Sequence, residues 1–327
     1  MKQLGVGLMI MVLASACSRS SDSSSGDSDA GDSSGSAVGD LLGSFSIQLV
    51  APRSETDGSV TPGYTAILGK VYDGIQPETV IWDAARSESG CVLATPRVPF
   101  CSPGCGASAA CVADNTCQAY PTAQSVGTVH VTGVAASSGS SFDLTAVANT
   151  YQPAASTTLV YPGFGEGDAI KMTASGSSFA SAFSLAAQGV AALTIAGADG
   201  LALAAGQPLQ LSWAVPGAGT SSQVHVALDI SHHGGARGKI TCDVADTGSL
   251  AITAAMVDQL LALGAAGYPS IVITRSTTGH AAVAIGHVDL VVASQVEAPI
   301  AVPGVQSCTT DDQCTPPATC QDDLTCK

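Results

Sequence analysis

The sequence predicts a mainly β protein with two β-sandwich units of the immunoglobulin-like, Greek-key type, two small disulfide-rich modules and a disordered N-terminal tether. Segments of alternating apolar and polar residues recur at roughly the 8–12-residue spacing of sandwich strands, and turns rich in Gly and Ser separate them. Charged residues are only 11% of the 327 residues, less than half of the usual ~25%. Eight of the 11 cysteines lie in two short clusters, which predicts disulfide frames in those segments.

The first seventeen residues have the pattern of a secretory signal peptide. Lys2 precedes an apolar run, Leu4 to Leu13, that is shorter than the about 20 residues needed to span a bilayer. Small residues then lead to Cys17, and this ending resembles a bacterial lipobox in which Ala14 replaces the usual leucine. The resemblance implies that Cys17 carries palmitate and other acyl chains, which together make a stable anchor. Ser18 after the cysteine implies the outer membrane. The alternatives are an ordinary signal peptide with an incidental cysteine, or a core helix.

Residues 18–40 are nearly all Ser, Asp, Gly and Ala, so they are predicted to form a disordered, self-repelling tether. The string Gly31–Gly35 satisfies G-x-S-x-G, but no strand or helix is predicted around it, as a nucleophile elbow would need. Asp27, Asp29 and Asp32 are spaced like calcium ligands but lack the Gly and Glu of an EF-hand loop. Both strings are interpreted as chance matches.

The charge balance limits the partners of the chain. The formal net charge is −15, and it becomes −16 when Lys2 leaves with the signal peptide. Binding to nucleic acid or to anionic lipid surfaces needs clustered Lys or Arg, so nucleic acid is excluded as a partner. The expected partners are the membrane, through the N-terminal lipid, and an unknown envelope or extracellular protein or glycan. No cofactor is predicted.

The β structure is predicted between residues 41 and 298, in segments bounded by Pro and Gly turns. The predicted strands are Phe45–Val50, Tyr64–Tyr72, Thr79–Asp83, Val126–Val134, Phe142–Val147, Thr158–Tyr161, Ala169–Ala174, Phe179–Ala186, Pro208–Trp213, Val224–Ile230, Gly238–Val244, Ser270–Thr274 and His287–Val292. Thr253–Leu263 alone predicts a helix, with Thr253 as N-cap and Gly264 as stop. Trp82 is predicted to pack in a core.

The chain is predicted to divide into seven consecutive parts. They are a signal peptide and lipobox (1–17), the tether (18–40), an N-terminal β segment (41–90), a cysteine-rich module (91–121), a β-sandwich unit (122–189), a second, immunoglobulin-like sandwich unit (190–298) and a C-terminal cysteine-rich module (299–327).

Ten cysteines remain once Cys17 is assigned to lipid, an even number in an exported chain, so disulfides are expected. Zinc would prefer C-x2-C knuckles, and the sequence has none. We predict that each module pairs its cysteines first to third and second to fourth, because adjacent pairing would leave two separate loops. Cys91 and Cys242 are then predicted to join the two β units, unless Cys242 is a free thiol and Cys91 bonds to the first module. The predicted module pairs are Cys101–Cys111, Cys105–Cys117, Cys308–Cys320 and Cys314–Cys326.

Two resemblances extend this interpretation. The segment Cys308–Cys314 resembles the four-cysteine repeat of Dickkopf-like extracellular modules, over about 20 residues in each copy. The chain as a whole resembles uncharacterised lipoproteins of high-GC Gram-negative bacteria, and this resemblance implies no biochemical activity. The matching pieces are Cys17, Pro99–Cys105, Cys242–Gly248, Ile271–Arg275 and the final four cysteines.

The densest group of histidines is His225, His232 and His233, with Asp229 nearby and Cys242 beyond. Imidazole and carboxylate can bind a transition metal, which makes these histidines the candidate ligands. However, His225 and Asp229 are about 13 Å apart on a strand, too far to share one ion. His232 and His233 are predicted to lie in a hairpin turn. The remaining histidines, His130, His280 and His287, are each predicted to lie singly on a strand or its edge.

The sequence therefore favours a lipid-anchored, non-catalytic envelope lipoprotein of the outer membrane that acts in binding, adhesion or envelope structure. No catalytic residue is assigned, and no metal site is predicted beyond the three histidine candidates. The alternatives are a secreted hydrolase with an unrecognised site and a lipoprotein that binds a metal or small ligand.

Overall fold

A computed structural model of the chain describes residues 39–54, 59–217 and 219–327. Cys17 and the aspartate-rich strings at 27–35 lie outside these ranges. Within them the protein is mainly β, as predicted, with 21 strands and one α-helix. The strands are β1 (Leu41–Val50), β2 (Arg53–Ser54), β3 (Val60–Thr61), β4 (Tyr64–Tyr72), β5 (Ile81–Glu88), β6 (Cys91–Arg97), β7 (Ala109–Ala113), β8 (Thr116–Ala119), β9 (Ala123–Gln124), β10 (Val129–Ala136), β11 (Gly139–Leu144), β12 (Ala146–Val147), β13 (Thr150–Tyr151), β14 (Ala169–Ala174), β15 (Phe183–Gln188), β16 (Leu209–Ser212), β17 (Gln223–Asp229), β18 (Lys239–Ala245), β19 (Ser249–Ile252), β20 (Ser270–Val283) and β21 (Gly286–Pro299).

The helix, α1 (Ala254–Ala262), has the N-cap that the sequence predicts. The hydroxyl of Thr253 accepts a hydrogen bond from the backbone N–H of Met256, and Met256, Val257 and Leu260 face the interior. Short 3₁₀ turns form at Ala198–Gly200 and Asp311–Gln313. No helix in the described ranges has the length and apolar character needed to cross a membrane.

One large sheet runs through the body of the protein. Its strand order is β12-β13-β4-β1-β21-β20-β17-β18-β6-β5, and β9 pairs with β4 beside this path. Neighbours are antiparallel except β1 and β21, which run parallel with Phe45 opposite Leu290. β1 therefore lies inside the sheet, between β4 and β21, and both of its edges are paired.

Two hydrophobic cores form against this sheet. The first core combines the large sheet with a four-stranded sheet of order β11-β10-β14-β15, and buries Phe45, Leu144 and Ile170. It thereby joins strands from the predicted N-terminal β segment to strands from the predicted first sandwich unit. The second core combines the other half of the large sheet with the β16–β19 pair and α1. Leu211 and Val226 are buried there.

The β20–β21 hairpin contributes to both cores. Each strand has 14 residues, and a two-residue turn, Ala284–Ile285, joins them. Near this turn Leu290 packs in the first core, whereas Ile273 and Val296 pack in the second core. Successive side chains of a strand alternate between faces, so the inward residues of both cores lie on one face of the hairpin.

The ten cysteines of the described residues form five disulfides, the same five pairs that were predicted from the sequence. Cys91 and Cys242 lie opposite each other on β6 and β18, and both pack in the second core. Their bond therefore ties neighbouring strands of one sheet instead of joining two separate β units. The pairs are Cys91–Cys242, Cys101–Cys111, Cys105–Cys117, Cys308–Cys320 and Cys314–Cys326.

Several details differ from the sequence prediction, and three of them concern β6, the segment Thr158–Tyr161 and Trp82. β6 lies in the large sheet, where a cysteine-rich insert was predicted, because Cys91 and Leu93 point into the second core. The predicted strand Thr158–Tyr161 forms only a single bridge, between Leu159 and Ala136. Trp82 does not pack in either core, because it is partly exposed. The ammonium group of Lys239 lies 4.1 Å from the centroid of its ring.

Candidate functional site

The histidines that the sequence suggested as metal ligands lie along β17 and the turn after it. His225 faces outward, and its Nδ1 lies 2.8 Å from Oδ1 of Asp243 on β18. The rings of His232 and His233 lie with their centroids 3.9 Å apart and are tilted by 52° to each other. Within the described ranges, these three histidines do not belong to any group of three His, Cys or carboxylate ligand atoms that lie within 4.8 Å of one another.

A different group does bring three such ligands together, at the tip of the β20–β21 hairpin. Nδ1 of His280 lies 2.6 Å from Oδ1 of Asp289, and Nε2 of His287 lies 3.5 Å from the same oxygen. The ligand atoms of all three residues lie within 4.8 Å of one another. The two imidazole rings meet edge to face, with centroids 5.9 Å apart. His280 and His287, predicted to stand alone, therefore converge on one carboxylate.

Strand register explains this convergence. His280 is directly opposite Asp289, and Ala282 is directly opposite His287. The alternation of a strand places His287 and Asp289 on the same face, while Val288 between them points into the first core. The pattern His-x-Asp within a strand could have identified His287 and Asp289 as neighbours on one face. His280 was predicted to lie alone on a strand or its edge, and because the predicted strand ended at Thr274, its register opposite Asp289 could not be derived from the sequence.

Two groups of cysteine sulfurs are also close enough to hold a metal, but their chemistry differs. Each module brings three cysteines within the same distance limit. All of these sulfurs are joined in disulfides, and metals bind the thiolate. These groups therefore act as covalent cross-links. They are Cys101, Cys105 and Cys117 in the first module, and Cys308, Cys314 and Cys326 in the second.

A second polar cluster is buried where the two cores meet. The side chains of Arg275 and Asp246 are both buried, and Arg275 donates to Asp246 from Nε at 2.6 Å. Asp246 also accepts from the indole N–H of Trp213 at 2.7 Å and from the hydroxyl of Ser222 at 2.7 Å. A second guanidinium nitrogen donates to the carbonyl oxygen of Ala214 at 2.6 Å. Each polar group in the cluster is thus satisfied.

The hydrogen bonds around Asp246 set its charge state. Burial by itself raises the pKa of this carboxyl, but the hydrogen bonds from Arg275, Ser222 and Trp213, with the charge of Arg275, outweigh it and hold the pKa below its ordinary value. A fully paired carboxylate of this kind has no free lone pair directed into a cavity. We therefore assign the cluster to the stability of the fold.

Two surface cavities lie away from both clusters. One, of about 350 Å³, lies beside Tyr268 and Ile300, and the other, of about 570 Å³, lies over the C-terminal module near Asp311. Neither is lined by a histidine or by the Asp246–Arg275 pair. Neither cavity therefore includes a residue of the hairpin-tip cluster or of the Asp246–Arg275 pair. No protein-family model matches the chain, and no curated protein matches it.

Proposed function

We propose that the chain is a lipid-anchored, non-catalytic lipoprotein of the outer membrane that binds a protein or glycan of the envelope or the extracellular space. The observation that carries this proposal is the pairing of all ten cysteines of the described residues in five disulfides. Disulfides persist in oxidising compartments and are rare in the cytosol. The signal-like N-terminus and the lipobox-like ending at Cys17 are the sequence support for the lipid anchor.

A rigid apolar surface at the start of the first cysteine module supports the binding role. The side chains of Val98 and Phe100 are 75% and 72% exposed. The backbone N–H of Phe100 donates to Asp114 at 3.0 Å, its carbonyl oxygen accepts from the N–H of Asn115, and Cys101 beside it is cross-linked. The hydrogen bond from Phe100 and the charge of Arg97 hold the pKa of Asp114 below its ordinary value. Exposed aromatic side chains on a fixed backbone are typical anchors of binding surfaces.

The anchor is tested by replacing the acylated atom. Cys17→Ser should abolish the incorporation of labelled palmitate and move the protein from the membrane fraction to a soluble or uncleaved form. As the matched variant, Ser18→Asp keeps the cysteine and should keep the label, while shifting the protein toward the inner membrane. Membrane association of Cys17→Ser that equals wild type and resists salt and carbonate would overturn the anchor.

The binding role is tested on the same envelopes by chemical cross-linking. Phe100→Ser should remove the cross-linked adducts of the wild-type protein, since the substitution deletes an exposed anchor and leaves both cores intact. Val147→Ser is the control, because Val147 is also mostly exposed (66%) and lies on β12, at the end of the large sheet. Equal adducts in wild type and Phe100→Ser, or equal losses in both variants, would contradict a role for this surface.

A further inference from the structure

The three residues at the tip of the β20–β21 hairpin point to a site that goes beyond the proposed binding role. We propose that His280, His287 and Asp289 bind a divalent first-row transition metal, with Zn²⁺ as the expected ion. Two imidazole nitrogens and one carboxylate oxygen would hold it, and a fourth position would remain open to water. Three features support this site: the hydrogen bonding of His287, the low exposure of Asp289 and the chemistry of the three ligand atoms.

The hydrogen bond of His287 to the main chain fixes which of its nitrogens can bind a metal. Its Nδ1 lies 3.0 Å from the carbonyl oxygen of Gly39, which can only accept, so Nδ1 carries the proton. In the neutral ring the lone pair is then on Nε2, and Nε2 faces Oδ1 of Asp289 at 3.5 Å. A lone pair and a carboxylate oxygen repel each other at this distance unless a proton or a metal ion lies between them. An imidazole N–H bonded to a main-chain carbonyl is also the usual support of a metal-bound histidine.

The surroundings of Asp289 distinguish this group from the other two histidine–aspartate pairs of the sheets. His130 and Asp143 lie 2.6 Å apart, and His225 lies 2.8 Å from Asp243, with similar Nδ1–Oδ1 geometry. In those pairs the carboxylates are 61% and 77% exposed and meet one imidazole each. Asp289 is only 15% exposed and meets two imidazoles. The pairs of His130 and His225 therefore provide natural controls.

The donor set and its spacing select the class of ion. Zinc bonds to His nitrogen and carboxylate oxygen are about 2.0–2.2 Å long, so two ligands of one tetrahedral ion lie about 3.3 Å apart. The 3.5 Å between Nε2 of His287 and Asp289 already matches this separation. The 2.6 Å between Nδ1 of His280 and Asp289 is a hydrogen bond in which Nδ1 carries the proton. Metal binding through Nδ1 therefore requires a small outward movement of the His280 ring and the transfer of that proton to Nε2 or to water. His280 is the most exposed of the three, at 35%, and has room to move. Mg²⁺ and Ca²⁺ prefer sets of oxygen ligands and would bind poorly.

The test uses the full chain, purified in mild detergent without an oligohistidine tag and stripped with EDTA. Titration with Zn²⁺ against a chromophoric chelator should give one site per chain, and Mg²⁺ should not compete. Co²⁺ at the same site should give the visible absorption bands of a four-coordinate ion. Loss of a ligand should weaken Zn²⁺ binding at least about tenfold in each of His280→Ala, His287→Ala and Asp289→Asn, the lower bound for loss of even a supporting partner.

The controls are His130→Ala and His225→Ala, which remove an imidazole from a histidine–aspartate pair and should leave Zn²⁺ affinity unchanged. Unfolding midpoints of all variants, measured without metal, show whether an affinity loss reflects a lost fold. If Asp289→Asn unfolds, Asp289→Ser and His280→Gln replace it. The absence of a site in the wild type, affinity unchanged in all three hairpin variants, or equal weakening in the two control variants would overturn the proposal.

Discussion

The ion pair of Arg275 and Asp246 lies at the point where the β20–β21 hairpin passes from the first core to the second. Arg275 is directly opposite Ser294, and both turn inward. The hydroxyl of Ser294 accepts a hydrogen bond from the backbone N–H of Leu193, and Arg275 donates a hydrogen bond to the carbonyl oxygen of Ala191. The segment that contains Ala191 and Leu193 links the two cores, and these hydrogen bonds to Arg275 and Ser294 hold it against the hairpin.

We expect Asp246→Asn to destabilise the protein by about 3–5 kcal/mol, because it leaves the buried guanidinium of Arg275 without a counter-charge. Asp143→Asn is the control; it breaks an exposed pair with His130 and should cost about 0–1 kcal/mol. Urea unfolding at pH 7 under non-reducing conditions measures both. Equal unfolding free energies for the two variants would show that the buried pair contributes no more than a surface pair.

The same variant has a defined pH dependence. The pKa of Asp246 is lower in the folded state than its ordinary value of 3.8, so its contribution is complete above that value and is lost as the pH falls further. The stability difference between wild type and Asp246→Asn should therefore be constant from pH 6 to about 5 and shrink below about pH 4. A difference that stays constant down to pH 2 would contradict the shift.

At the residue level, the sequence predicted the disulfide pairs better than it predicted the cluster of His280, His287 and Asp289. The four pairs within the modules involve cysteines whose spacing repeats along the chain, and Cys91 and Cys242 were the two cysteines left over. The group of His280, His287 and Asp289 depends instead on the register of two strands, and a shift of one residue would place His280 on the other face. The predicted strand ended at Thr274, before His280, and therefore did not set that register.

At the level of the elements, alternation predicted the strands that bury one face. β17 follows the predicted Val224–Ile230 closely, with Val224, Val226 and Leu228 buried and the residues between them facing outward. β6 was not predicted, because its first residue is a cysteine close to a cysteine cluster, and that cluster favoured a disulfide-rich module over a strand. The order of strands in the large sheet was not predictable, because β1 pairs with a strand at the other end of the chain.

The disulfides should contribute different amounts to the free energy of unfolding, according to the length of the loop that each one closes. Cys91 and Cys242 are 151 residues apart, so their bond should contribute about 5 kcal/mol through the entropy of the unfolded chain, whereas Cys101–Cys111, only 10 residues apart, should contribute about 3 kcal/mol. The double variants Cys91→Ala/Cys242→Ala and Cys101→Ala/Cys111→Ala test this order by urea unfolding. A larger loss in the module variant would show that strain or local packing, not loop length, decides.

On the scale of the whole molecule, the shared hairpin predicts that the two cores unfold together. Leu144→Ala, a cavity in the first core, should cost about 2–5 kcal/mol. In a Trp82→Phe background, Trp213 reports on the second core alone. We expect its fluorescence midpoint and the circular dichroism midpoint to fall by the same amount in urea. A Trp213 transition that stays unchanged beside a second, earlier transition would show that the cores are independent.

The parallel pairing of β1 with β21 also dictates the order in which the chain can fold. Synthesis delivers β1 early, and its hairpin partner β4 follows at once, but the strand that covers its other edge comes more than 200 residues later. Until β21 has been synthesised, that edge offers unpaired N–H and C=O groups to neighbouring chains. We therefore expect a nascent chain halted before Gly286 to aggregate more readily than the full chain.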